Sequence, residues 1–342
     1  MKLLLILFLI TTYANAQGVA KWDTLYTEGN IKIEKLKNIK IDTAEIYLSS
    51  ELHGIAANNI IKNTFFEYLL DTYGVRNYLV EYSPSIAFLD NYFLTNGNNE
   101  ALGKDGQTIL NFYRKMPQEK KYRYWGIDFD ITKNRYPQYF KAIKIIVGDS
   151  FFKNILLNNK ISAEENEKNA LKIDNVLNQL LVNDSTYLQE LIAKEYWLDF
   201  KLILSSCKQF KKGKKRENTI YQQYLKTVPF FYENNQHLKR CFGQFGKDHI
   251  SNNWKQNLYH LLKKDSLVNN RKIVRIANQY ISCQSDYYGN GKELKFYKNT
   301  GIADQKLNKP FLKETKPKIV LIDKASLYLK GFDICTISMN FK

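Results

Sequence analysis

The sequence predicts an α/β fold, a central and mostly parallel sheet flanked by helices, with a helical insertion between two of its strands. Three observations carry this. Short β-branched or aromatic runs at 44–48, 78–80 and 122–127 alternate with longer segments of helical periodicity, the order that builds parallel sheets through right-handed crossovers. A polar, lysine-rich, helically periodic stretch over about 149–235 then breaks the rhythm. Strand-like runs resume at 241–245, 273–277, 319–322 and 334–339.

Residues 1–16 stand apart from the fold. Lys2, the apolar run 3–10 and Ala14-Asn15-Ala16 have the three-part form of a secretory signal peptide. Cleavage is expected before Gln17, which makes the mature chain periplasmic or extracellular. The apolar run falls short of the roughly 20 residues of a membrane-spanning helix, and no later stretch is longer. Residues 17–342 are expected to form a single α/β domain with the insertion inside it.

After a polar lead-in, 44–48 reads as a buried strand and 49–54 as the turn that follows it. Ile55, Ala56, Ile60, Phe65, Phe66, Leu69, Leu70 and Tyr73 then recur at helical spacing, and Gly74 supplies the stop. Tyr78-Leu79-Val80 is a second strand ending at Glu81. Pro84 suits the first turn of a helix with Ile86, Leu89, Tyr92, Phe93 and Leu94 on its apolar side, ending near Asn96-Gly97. The third strand, 122–127, exits at Asp128. Ile173, Val176, Leu177, Leu180 and Leu181 mark a helix in the insertion, which is placed to cap the functional edge of the sheet. The strand at 241–245 runs into Gly246-Lys247-Asp248-His249, that at 319–322 leads to Asp323, and 334–339 closes the sheet. Turn-rich loops fill 285–291 and 299–310.

The formal charge of +17 attracts anionic partners. For an exported chain these are an anionic envelope surface, lipid or glycan, and not nucleic acid; an AT-rich coding bias, with Lys, Asn, Ile, Tyr and Phe all abundant, is the stronger explanation of the lysine excess. The densest basic run, 208–216, reads as a solvated turn between helices. Cys207, Cys241, Cys283 and Cys335 are too widely spaced for a zinc knuckle or a small stapled scaffold. Cys241 and Cys335 fall in buried strands, where a free thiol is a small hydrophobe, so no bridge is expected.

Glu51, His53, Glu81 and His249 each follow a strand-like run, at the carboxyl edge where α/β sheets keep ligands. An imidazole is the natural general base near neutral pH, and a carboxylate two residues away orients its second nitrogen; Glu51-Leu52-His53-Gly54 supplies both. A carboxylate as close to the core as Glu81 needs a cation, either His53 or an arginine such as Arg76. His249 leaves a glycine-bearing strand exit, and Asp248 beside it either orients the ring or caps a helix starting near Ser251. Asp128 and Asp248 are candidate substrate-binding groups. His237 and His260 lie in polar helical contexts and read as surface residues.

The segments Glu51-Leu52-His53-Gly54, Tyr78-Leu79-Val80-Glu81, 87–97 and Trp125-Gly126-Ile127-Asp128, with Gly246 to His249 farther on, resemble the erythromycin esterase superfamily, which also takes in ChaN-type and TraB/Tiki proteins. The likeness covers the N-terminal third and returns only at 246–249. In the esterases the first motif reads Gly-Glu-x-Thr-His-Gly; here Ser50 replaces the glycine and the Glu-to-His spacing is nearer the ChaN-type form. The resemblance implies that His53 is the base activating water, that Glu51 and Glu81 tune or orient it, and that His249 faces the developing oxyanion.

Two functions follow as expectations. One is a hydrolase of small-molecule substrates, attacking an ester-like or related carbonyl. The other is a non-catalytic haem, iron or small-ligand binding protein of the ChaN type, for which Tyr287-Tyr288 offers an aromatic pocket. The hydrolase needs no cofactor, while two imidazoles and two carboxylates also suit zinc, manganese or iron; the sequence leaves the metal or haem open.

Overall fold

A computed structural model of the chain describes residues 22–27, 44–55, 57–97, 106–129, 135–206, 214–252, 255–265, 271–285, 292–294, 311–322 and 331–341. The expected leader, Cys207, the run 208–213, Tyr287, Tyr288, the loop 299–310 and Asp323 lie outside these residues.

The described strands are β1 (Trp22–Thr27), β2 (Ile46–Glu51), β3 (Asn77–Val80), β4 (Arg123–Gly126), β5 (Cys241–Gly246), β6 (Ile273–Ile281), β7 (Cys283–Ser285), β8 (Lys292–Leu294), β9 (Lys318–Ile322) and β10 (Ile334–Met339). β7 and β8 pair with each other on either side of the segment 285–291 read from sequence as a turn-rich loop. The other eight form one sheet in the order β1-β9-β10-β6-β2-β5-β3-β4. It is parallel from β10 to β4 and antiparallel at β9 and β1. The lead-in thus holds an edge strand, β1, which pairs with β9 through an irregular register between Thr24 and Tyr26. No long apolar run announces it, because an edge strand need not be buried on both faces.

β2 is central, and its residues alternate between two cores. Tyr47 packs on one face with Phe65, Phe66 and Phe242; Ile46 and Leu48 pack on the other with Leu79 and Phe245. Burial on both faces explains its continuous apolar character, and each such side chain contributes about 1.5–3 kcal/mol.

The helices are α1 (Ala57–Tyr73), α2 (Pro84–Asn96), α3 (Gly106–Lys115), α4 (Tyr136–Val147), α5 (Asp149–Asn158), α6 (Glu167–Asn183), α7 (Ser185–Leu191), α8 (Trp197–Ser206), α9 (Lys214–Thr227) and α10 (Leu258–Lys264). α1 stops at Gly74, whose φ of +64° suits glycine. α2 begins as expected: Ser83 caps it by accepting from the Ile86 N–H, and Pro84 follows.

The helical stretch between β4 and β5 begins at Tyr136, earlier than expected. Tyr139, Phe140 and Ile143 of α4 share a core with Phe88 and Phe93 of α2, Ile173 and Leu177 of α6 and Phe200 of α8. α9 behaves differently. Its Ile220 and Tyr224 pack with Leu79, Trp125 and Phe245 on the sheet, which brings its first turn to the carboxyl edge. Cys241, Cys283 and Cys335 are buried free thiols. No helix among the described residues is long and apolar enough to cross a membrane.

Candidate functional site

The site follows from strand register. After β2 the chain builds β3 and β4 on one side, returns to lay β5 between β2 and β3, and then crosses to β6. Ligands of α/β sheets gather at such reversals. Glu51 lies opposite Gly246 and Val80 opposite Gln244, so the groups leaving β2, β3 and β5 emerge side by side. Glu51 is the last residue of β2, and His53 and Gly54 form the turn before α1.

Four of the expected residues come together. Glu51 Oε1 lies 2.7 Å from His53 Nδ1. A carboxylate only accepts, so Nδ1 carries the proton and Nε2 is left as the acceptor of a neutral ring. That Nε2 lies 3.9 Å from Glu81 Oε2, beyond direct hydrogen bonding and within the span of one bridging water. Glu81 Oε2 accepts from the Gly246 N–H at 2.6 Å. Its other oxygen meets His249 Nε2 at 2.8 Å and Arg216 Nη2 at 2.9 Å. Asp128 joins through Arg216 Nη2 at 2.8 Å, with Arg135 Nη1 at 3.5 Å.

His249 is wedged between two carboxylates. Glu217 Oε1 stands 2.6 Å from its Nδ1, oblique to the ring N–H, and Glu81 stands at Nε2. Burial disfavours charge on the ring, but the bonds and fields of Glu217 and Glu81 outweigh it and lift its pKa to about 9. Glu81 is the mirror case. Burial acts to raise its pKa, and His249, the Gly246 N–H and Arg216 together bring it down to about 2. The hydrogen bond with Glu51, opposed by burial and aided by the charge of Glu81, raises His53 above 6.5.

These shifts give a pH signature. Folding raises the affinity of His249 for its proton, so its stabilisation is complete below about pH 6.5 and is lost as pH rises toward 9. Glu81 acts oppositely, stabilising above pH 4.5 and losing its contribution as pH falls toward 2. The urea midpoint is therefore expected to decline between pH 6.5 and 9, with a shallower decline in His249→Asn.

The remaining sequence expectations divide. Asp248 does not orient His249: it is exposed on the turn, and its carbonyl accepts from Asn257 Nδ2 at 2.8 Å. It does not cap a helix at Ser251 either, since α10 starts at Leu258 with Asn257 as its cap. Arg76 is not the cation of Glu81; its Nε donates to the Lys121 carbonyl, and its guanidinium stacks on Tyr232. His237 is exposed as expected, while His260 is half-buried with its Nε2 enclosed.

Arg216 overturns the reading of 208–216 as a wholly solvated turn. It lies in the first turn of α9 and, at 23 % side-chain exposure, links Glu81 to Asp128. Glu217 was also missed, although the sequence held a signal. Glu217, Ile220 and Tyr224 fall at helical spacing on one face, and all three are buried. An acid on the apolar stripe of a helix needs a buried partner, here His249.

Among the described residues, no three acidic, imidazole or thiol groups cluster as ligands for a metal ion. The donor set shows why: both Glu81 oxygens and both His249 nitrogens face other protein groups.

No family model and no curated protein matches the chain. The likeness to solved structures is one of fold. A variant of the erythromycin esterase EreC in its open conformation superposes with a TM-score of 0.53 at 11 % identity, covering 94 % of this chain and 98 % of that one. A Bacillus cereus protein gives a TM-score of 0.51 at 14 % identity, covering 87 % and 89 %. Haem-binding ChaN of Campylobacter jejuni gives a TM-score of 0.31 at 15 % identity over 72 % and 88 %, too loose a superposition to bear on this chain. The chain has an α/β fold of the erythromycin esterase kind, as the motif resemblance implied.

Proposed function

We propose that the protein is an exported hydrolase that uses water activated by His53 to cleave an ester-like or related carbonyl substrate. The observation that carries this reading is the row Glu51–His53–gap–Glu81. Glu51 anchors Nδ1 at 2.7 Å, and the 3.9 Å between His53 Nε2 and Glu81 Oε2 accommodates one water facing two acceptors. As that water attacks the carbonyl carbon, Nε2 takes its proton, and Glu51 and Glu81 stabilise the imidazolium that forms. The tetrahedral intermediate then collapses, the C–O bond to the leaving group breaks, and His53 returns the proton to the departing alkoxide. With both His249 nitrogens facing carboxylates, His249 is not the oxyanion donor. The positive charge of Arg216, partly exposed beside Glu81, is the field that favours the oxyanion.

Export rests on the leader pattern at 1–16; a mature N-terminus at Gln17, read by mass spectrometry, is the expected result. The activity is tested by presenting the protein with a panel of esters, lactones and amides. Turnover of at least one is expected, and silence across the panel, with stoichiometric haem or iron uptake instead, replaces hydrolysis by binding.

Gly246 offers a local check. Its φ of −50° suits any residue, so the constraint is steric: an added Cβ meets His53 Nε2 at 2.8 Å and Glu81 Oε2 at 3.4 Å. Gly246→Ala is expected to displace the exposed His53 ring and lower kcat by about 10²-fold, with little change in melting temperature.

A further inference from the structure

Gln244 lies in the middle of β5, between β2 and β3, and is buried. Its Nε2 donates to Glu51 Oε2 at 2.6 Å and to the Asn58 carbonyl at 3.3 Å. The amide cannot be turned over, because its oxygen would then face a carboxylate and a carbonyl, both acceptors. In the orientation that results, Oε1 is enclosed without a hydrogen-bond partner, an arrangement that costs stability. An apolar side chain of the same shape avoids that cost, so an amide at this position is better explained by what it does to Glu51 than by its packing.

The surrounding bonds support the same role. Asn58 Nδ2 donates to the Leu52 carbonyl at 2.7 Å, and Asn58 Oδ1 accepts from the Tyr280 hydroxyl at 2.6 Å. The Leu52 N–H donates to that hydroxyl at 3.3 Å. Three buried side chains, from α1, β5 and β6, thus brace the Glu51-Leu52-His53 turn from beneath.

We propose that Gln244 is a positioning residue for His53: by tying down one oxygen of Glu51 it aims the other at Nδ1, and so holds the imidazole with Nε2 toward the gap. This rests on the reading of His53 as the base. Without the tie, Glu51 is free to rotate, and the ring loses both its orientation and part of its carboxylate partner.

Gln244→Met tests this, since methionine keeps the shape and removes both the donor and the orphaned acceptor. The expected result is a melting temperature unchanged or higher, with kcat lowered by about 10²-fold and KM nearly unchanged. The acidic limb of the pH–rate profile, set by a ring that Glu51 holds above its ordinary 6.5, moves down toward that value. Nitrogen NMR of His53 reads the same change without turnover: a single Nδ1-protonated tautomer in the parent protein, and a tautomer mixture with a lower titration midpoint in the variant. An unmoved limb and an unmoved imidazole titration overturn the proposal. If the parent protein cleaves nothing, the hydrolase reading fails, and the NMR titration still decides whether Gln244 positions the ring.

Discussion

His53→Ala is expected to lower kcat/KM for any ester the protein cleaves by about 10²–10⁴-fold, the contribution of a well-placed general base. The fold should be almost unaffected. The His53 side chain is 46 % exposed on a surface turn, and its partners Glu51 and Glu81 keep other bonds, to Gln244 and to Gly246, His249 and Arg216 respectively. The measurement is a pair of numbers on one sample, kcat/KM and the urea midpoint. Parent-like turnover in the variant removes His53 from the chemistry, whereas lost turnover together with a collapsed midpoint assigns it a structural part instead.

Arg216→Met is expected to cost about 3–5 kcal/mol of folding stability, the usual penalty for removing one partner from a buried charge set. Arg216 holds Glu81 and Asp128 together, and their side chains are 11 % and 2 % exposed. Without it, Asp128 retains Arg135 at 3.5 Å and Glu81 retains His249 and the Gly246 N–H. Arg216→Lys should recover only part of the loss, because one compact ammonium does not reproduce the planar fork that serves two carboxylates. Chemical denaturation of the three proteins checks both statements, and a methionine variant as stable as the parent shows that the cluster is not held by this cation.

The two outcomes separate the base from the charge cluster that supports it. His53 stands at the open end of the row, where removal costs turnover. Arg216 stands at its closed end, where removal strands anionic groups away from water. Gly246 adjoins both His53 and Glu81, and Gln244 backs Glu51 from beneath, as expected of groups that set the position of His53 and Glu81 without themselves exchanging a proton.

The sequence by itself determined which runs form the parallel strands and the local pair; β2 and β6 continue past their expected ends at 48 and 277, to Glu51 and Ile281. Buried apolar runs are legible as parallel strands, and Glu51, Glu81, Asp128 and His249 stand at or just beyond their carboxyl ends. The pairing of Glu51 with His53 spans two residues in one turn, so local geometry permits it without knowledge of the rest. Only the tertiary structure decided which groups complete the site. The cations of Glu81 are His249 and Arg216, the latter 135 positions away, and not the nearby Arg76, which lies at the other end of β3. Asp248 turned outward, Glu217 turned inward, and Gln244 came under Glu51 through the register of β2 with β5. Periodicities of two and 3.6 residues report which face of an element is buried. They carry no information on which other element docks there, and it is docking that assigns partners to buried charges.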